Sequence, residues 1–162
     1  MLPKEYKKLL NIKMLVLDFD GVLTNNKVAV SDQGREYVLC DRSDGIGIKN
    51  LKDKNILIYI VSSEKNPVVK HRADKLDIPC IQSVADKSIV LNDLAAKHGF
   101  SLEETAFIGN DINDIPALEI VGVPIGVQDC HIDIEKHILF KTTSTGGNGA
   151  VREICDIICK DI

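Results

Sequence analysis

Apolar runs too continuous for one-sided burial recur along this chain, and most of them end in a polar cluster. Residues 12–17 run into Asp18, residues 56–61 into Ser62, and residues 105–108 into Gly109-Asn110-Asp111. Residues 123–127 form a further run, and 79–82 and 138–140 are short ones. Between them the apolar positions take helical spacing. Residues 44–53 place Ile46, Ile48 and Leu51 on a helix that Asp44 caps, and residues 67–76 open on Pro67, a favoured first helical residue because its missing N–H has no partner to lose. Further helices are predicted over 86–97, closed by Gly99, and over 115–121, 132–137 and the amphipathic stretch 150–159. One segment departs from the alternation: residues 27–30 and 36–39 flank Ser31-Asp32-Gln33-Gly34, which reads as a β-hairpin. Apolar strands alternating with helices imply an α/β fold, a parallel sheet covered on both faces. Ligands of such sheets bind beyond the C-terminal strand ends, where the polar clusters fall.

Composition narrows the class. The 162 residues suit one domain, 1–162, with 44% hydrophobic and 27% charged residues. A net charge of −4 without a basic stripe argues against a nucleic-acid partner, although Lys and Arg remain for a small anion. The charged start, Met1 to Lys8, has no apolar signal-peptide core, and no run approaches the ~18 apolar residues of a membrane span. Five scattered cysteines without a CxxC point to reduced thiols and a cytoplasmic setting. Cys155 and Cys159 share a helix face but lack a nearby His or Cys to complete a metal site.

The acidic strand end carries the chemistry. In an extended strand Asp18 and Asp20 point the same way, and Gly21 lets the backbone turn close to whatever sits there. Taken alone, such a pair also serves as a turn and cap. Asp111 and Asp114 at a second strand end change that balance. Four carboxylates converging without a compensating base repel one another, and Mg2+, a hard cation that keeps part of its shell for water and substrate phosphate, resolves the conflict.

These residues resemble a known superfamily. Asp18-Phe19-Asp20-Gly21-Val22-Leu23-Thr24 resembles motif I of the haloacid dehalogenase (HAD) phosphatases. Ser62, Lys87 and Gly109-Asn110-Asp111-Ile112-Asn113-Asp114 resemble motifs II, III and IV in the same order. Asp44-Gly45-Ile46-Gly47-Ile48, Pro67 to Ala73, Asp86-Lys87 and Gly146 to Glu153 are similar to the 3-deoxy-D-manno-octulosonate (KDO) 8-phosphate phosphatases. They are equally similar to nonulosonate 9-phosphate phosphatases and to the HAD domain attached to some CMP-sialate synthetases. The resemblance spans about residues 12 to 160. It implies a three-layer Rossmann-like fold with a protruding hairpin and no cap domain, in a capless enzyme, typically a homotetramer.

The resemblance further implies that Asp18 attacks phosphorus and ligates the metal. Asp20 acts as acid and base and reaches the metal through its carbonyl, while Ser62 and Lys87 hold the phosphoryl oxygens. Ser62 alone reads as a turn hydroxyl, and Lys87 alone as a solvated helix lysine. Motif IV departs from the family, since a position commonly Asp is Asn110. Either Asn110 ligates without bringing charge, or Asp111 and Asp114 take over.

On the substrate side, Ser63 and Glu64 follow Ser62, and Glu64 stands where nonulosonate-type relatives carry Glu and several KDO-type ones Arg. Arg72 and Lys75, at i and i+3, either meet a sugar-acid carboxylate or form a solvated face. Gly146 and Gly147, followed by Asn148 where Arg is commoner, read as a flap or as the turn before the last helix. Only a hairpin separates motif I from its helix, too little for a cap, so something else must cover the site; the resemblance implies a neighbouring subunit, with residues 25–40 as the contact, and extension of its own sheet is the alternative. The leading expectation is a Mg2+-dependent phosphatase of a phosphorylated sugar acid, nonulosonate 9-phosphate ahead of KDO 8-phosphate. A broad sugar-phosphate phosphatase and a catalytically weak module assisting a cytidylyltransferase are the alternatives.

Overall fold

The computed structural model describes residues 4–160. The first three residues, part of the segment read as lacking a signal peptide, lie outside them. Six parallel strands form the central sheet: β1 (Met14–Leu17), β4 (Leu57–Val61), β5 (Cys80–Ile81), β6 (Thr105–Gly109), β7 (Val123–Gly126) and β8 (Phe140–Lys141), in the order β5-β4-β1-β6-β7-β8. β2 (Thr24–Val30) and β3 (Glu36–Cys40) make the separate antiparallel hairpin.

Continuous apolar runs are explained by burial on both faces. Leu15 and Leu17 of β1, Ile58 and Ile60 of β4, and Ala106 and Ile108 of β6 enter one core. Their neighbours Met14, Val16, Tyr59, Val61 and Phe107 enter the other. Helices α2 (Ser43–Asp53) and α6 (Ala150–Cys159) cover the first face, with α3 (Val68–Leu76) beside them. α4 (Lys87–His98) and α5 (Ile115–Ile120) cover the second. α2 meets α6 closely at Gly47, where an added Cβ would sit 2.7 Å from Cys155 Cβ.

Several boundaries differ from the pattern. A helix α1 (Lys4–Leu10) precedes the sheet without having been expected, and Ile132–His137 forms a 3-10 rather than an α-helix. The hairpin starts earlier, at Thr24, because an irregularity between Thr24 and Val28 lets the turn after motif I pass directly into a strand. Between β1 and α2 stands only that hairpin, and between β4 and α4 only α3 and β5. Among the described residues no helix is long and apolar enough to cross a membrane.

Candidate active site

β1 lies between β4 and β6, so its C-terminal end opens at the middle of the sheet edge. The Asp18 N–H continues the ladder to the Ile108 carbonyl at 3.0 Å, which fixes the direction of its side chain. The chain then folds back: the N–H groups of Leu23 and Thr24 both donate to Phe19 O, and the Gly21 N–H donates to Thr24 Oγ1. Gly21 takes φ +80°, a left-handed conformation that glycine adopts at least cost, and an added Cβ there would stand 2.0 Å from the Asn110 carboxamide. A glycine is therefore needed for both conformation and space.

Lys87, the first residue of α4, is placed by its cap: the Asp86 side chain accepts from the Ser88 N–H at 2.9 Å. Its ammonium, 1% exposed, lies 2.7 Å from Asp18 Oδ1 and 2.6 Å from Asp114 Oδ1. Burial opposes the Lys87 charge, but the Asp18 and Asp114 carboxylates outweigh it and hold its pKa above the ordinary value. Burial, reinforced by Asp114, pushes the Asp18 carboxyl up to about 7, with Lys87 pulling the other way. Burial followed by Glu64 also raises Asp20.

Asp114 is fully buried and holds the loop together. Its Oδ1 takes Lys87, and its Oδ2 accepts from the Asn110 N–H at 2.8 Å and the Asp111 N–H at 3.3 Å. Both oxygens thus have protein partners. Asp111 turns one oxygen to the Ile112 N–H, as a cap.

Asn110 is what meets the motif I loop. The carboxamide atom facing it stands 3.1 Å from Asp18 Oδ2 and 2.9 Å from the Asp20 carbonyl oxygen. With nitrogen there, the amide donates to both. With oxygen there, three oxygens face one another at the spacing that neighbouring ligands of an octahedral Mg2+, each about 2.0–2.1 Å from the ion, require. Among the described residues no group of three His, Cys, Asp or Glu side chains is arranged for a metal. The donor set is a mixed one, of carboxylate, carbonyl and carboxamide, and its hard oxygens fit Mg2+.

Ser62 follows the last residue of β4, is buried, and accepts from the Glu64 N–H at 3.1 Å, which leaves its own hydroxyl hydrogen to donate. These groups surround a cavity of about 420 Å3 lined by Asp18, Asp20, Ser62, Ser63, Glu64, Asn110 and Asp111. Asn26, Lys65 and Asn113 line it too and were missed in the sequence. Only their proximity to the motifs, and for Asn26 an asparagine where the backbone turns left-handed at φ +61°, signalled them.

Five expected substrate contacts, Arg72, Lys75, Gly146, Gly147 and Asn148, lie elsewhere in this chain. Arg72 and Lys75 face a separate cavity of about 340 Å3 shared with Arg42. Arg72 Nη2 donates to Asp41 O at 2.9 Å, while its buried Nε has no partner. Gly146 and Gly147 pack against the back of the motif I loop, where added Cβ atoms would stand 1.9 Å from Gly21 O and 2.3 Å from Asn25 N. The Gly147 N–H donates to Val22 O, and the Asn148 amide stays within its own turn on Thr145 Oγ1 and Gly146 O. These glycines are required by close backbone contact.

The geometry agrees with comparisons to known proteins. Residues 78–154 match the family of haloacid dehalogenase-like hydrolases. The KDO 8-phosphate phosphatase of Salmonella typhimurium is 34% identical over 157 residues, covering 96% of this chain and 84% of that protein. The structure of the Moraxella catarrhalis KDO 8-phosphate phosphatase, in complex with magnesium ion, phosphate ion and KDO, superposes with a TM-score of 0.93 at 33% identity, covering 98% of this chain and 91% of that one. The cobalt-bound Haemophilus influenzae phosphatase gives a TM-score of 0.88 at 33% identity over 93% of this chain and 89% of that one. An aspartate-bearing strand end, a buried lysine, a hairpin without a cap and this likeness over nearly the whole chain lead to one assignment: the chain belongs to the KDO 8-phosphate phosphatase family of the HAD superfamily and is a HAD phosphatase.

Proposed function

We propose that this phosphatase hydrolyses a phosphorylated 2-keto-3-deoxy sugar acid, nonulosonate 9-phosphate ahead of KDO 8-phosphate, through an aspartyl-phosphate on Asp18. The observation that carries the reading is the buried Asp18–Lys87–Asp114 ion-pair chain, whose Asp18 end lines a cavity together with Asp20. Asp18 attacks phosphorus through its carboxylate while the bond from phosphorus to the sugar oxygen breaks. Asp20, which burial favours in its protonated form, gives its proton to the leaving sugar oxygen and then takes one from the water that attacks the aspartyl-phosphate. Lys87 and the Ser62 hydroxyl neutralise and orient the phosphoryl oxygens. Asp18, the Asp20 carbonyl and Asn110 would hold Mg2+, which when bound favours the ionised Asp18 and withdraws charge from the phosphoryl group.

Glu64 at the cavity supports the nonulosonate preference. Arg72 and Lys75, turned to another cavity of the same chain, fit the reading if they serve a neighbouring subunit's substrate in a tetramer built on the hairpin. Phosphate release from a panel of sugar phosphates, run with Mg2+ and with chelator, tests the proposal. Chelator and Asp18→Asn should each lower release, the latter by at least about a thousandfold. Release unaffected by Asp18→Asn would overturn the mechanism. Turnover of other sugar phosphates but neither sugar-acid phosphate would overturn the substrate.

A further inference from the structure

A second chamber of about 190 Å3 adjoins the catalytic cavity and shares Asp20, Asn26 and Glu64 with it. The inner face of the hairpin forms one wall. Val28 pairs with Val38 and Val30 with Glu36, and cross-strand partners share a face, so Val28, Val38 and Glu36 point the same way and line the chamber. The start of α3 forms the other wall, through Asn66 and Val68.

Glu36 is tied across this space. Its Oε2 accepts from Asn66 Nδ2 at 3.0 Å, and Asn66 is itself anchored because its Oδ1 accepts from the Val68 N–H at 3.0 Å. Glu64 commits Oε1 to the N–H groups of Lys65 and Asn66, at 2.6 Å and 2.8 Å. Lys27 also borders the chamber, one cation against the three carboxylates of Asp20, Glu36 and Glu64. A phosphoryl group seated on Asp18 with its leaving oxygen at Asp20 sends the rest of the substrate past Asp20, and the chamber opens there.

We propose that this chamber receives the carbons next to the phosphoester and that Glu36 selects them. Hydroxyl groups there donate to the Glu36 carboxylate, C–H faces meet Val28, Val38 and Val68, and a carboxylate at that end is repelled by Glu36 and Glu64. The proposal rests on the phosphatase reading and adds Glu36 as a residue that discriminates substrates by the carbons next to the phosphoester.

The test uses the full chain with Mg2+ and three phosphates: glycerol 3-phosphate, 3-phosphoglycerate, which puts a carboxylate where the first has a hydroxymethyl, and acetyl phosphate. The wild type should favour glycerol 3-phosphate over 3-phosphoglycerate by about tenfold or more in kcat/KM. Glu36→Gln should bring that ratio towards parity, and Glu36→Lys, on an exposed hairpin position, should invert it. Because each ratio is internal to one preparation, loss of folded protein cancels. A ratio unchanged in both variants would overturn the proposal, as would a wild type that hydrolyses acetyl phosphate but neither glyceryl compound. No release from any of the three by the wild type would instead overturn the phosphatase reading on which it stands.

Discussion

Asn110 shows how one atom type can decide the behaviour of a site. A carboxamide has a donor end and an acceptor end, so it can satisfy Asp18 Oδ2 and the Asp20 carbonyl through nitrogen, or join them as an oxygen ligand after a half-turn. Aspartate offers only the second arrangement and adds a charge facing Asp18. Asn110→Asp should therefore bind Mg2+ at least as tightly as the wild type while making the metal-free protein less stable. A buried group without its partner costs about 1–3 kcal/mol. Urea unfolding with and without Mg2+ checks this: a metal-free variant as stable as the wild type would remove the donor role from Asn110, and weakened Mg2+ binding would remove it from the donor set. Lys87 makes the complementary point, since its sequence neighbourhood suggests a solvated helix lysine and only the fold buries it between two carboxylates.

At the scale of elements, the contact between α2 and α6 supports the site from behind. Asp44 in the first turn of α2 is buried and accepts from the Arg152 N–H at 2.9 Å, in the first turn of α6, while its Oδ2 has no partner. Burial pushes its carboxyl up from 3.8 to about 6, with the Arg152 N–H opposing. Between these values the folded chain holds more protons than the unfolded chain, so this group makes stability fall as pH rises from about 4 to about 6. The penalty reaches the order of 2–3 kcal/mol above that window. Asp44→Asn keeps an acceptor for Arg152 and removes the charge, so it should flatten this part of the stability profile and raise stability at pH 7. Urea midpoints measured from pH 4 to pH 7 decide the matter, and an equally steep decline in the variant would exclude Asp44 as its source.

For the whole molecule, the hairpin has two faces with different tasks. Val28, Val38 and Glu36 turn inward to the chamber, while Tyr37 and Leu39, on the opposite face, are 58% and 71% exposed. An apolar outer face on a two-stranded ribbon is poorly placed in water, and a second copy of the hairpin is the expected cover. Leu39→Glu should then shift the protein to smaller species in light scattering and, if the neighbour completes the substrate site, raise KM for the sugar-acid phosphate. A wild type that remains monomeric at micromolar concentrations would end the oligomer proposal.

Local order in the chain determined the α/β alternation, the hairpin and the strand-end position of Asp18, Asp20, Ser62 and Asn110. Each follows from periodicity or from a polar residue closing an apolar run, and neither needs knowledge of distant residues. The same local reading missed α1, whose residues show no clear apolar stripe, and placed the helix Ile132–His137 without showing that it is a 3-10 helix. Only the tertiary structure decided which neighbours those site residues meet. It gave both oxygens of Asp114 to Lys87 and the loop amides, pressed Gly146 and Gly147 onto the motif I backbone, and turned Arg72 and Lys75 away from their own chain's cavity. Hydrogen-bond partners and close backbone contacts depend on where separate strands and helices come to lie, and sequence spacing within any one of them carries no record of that.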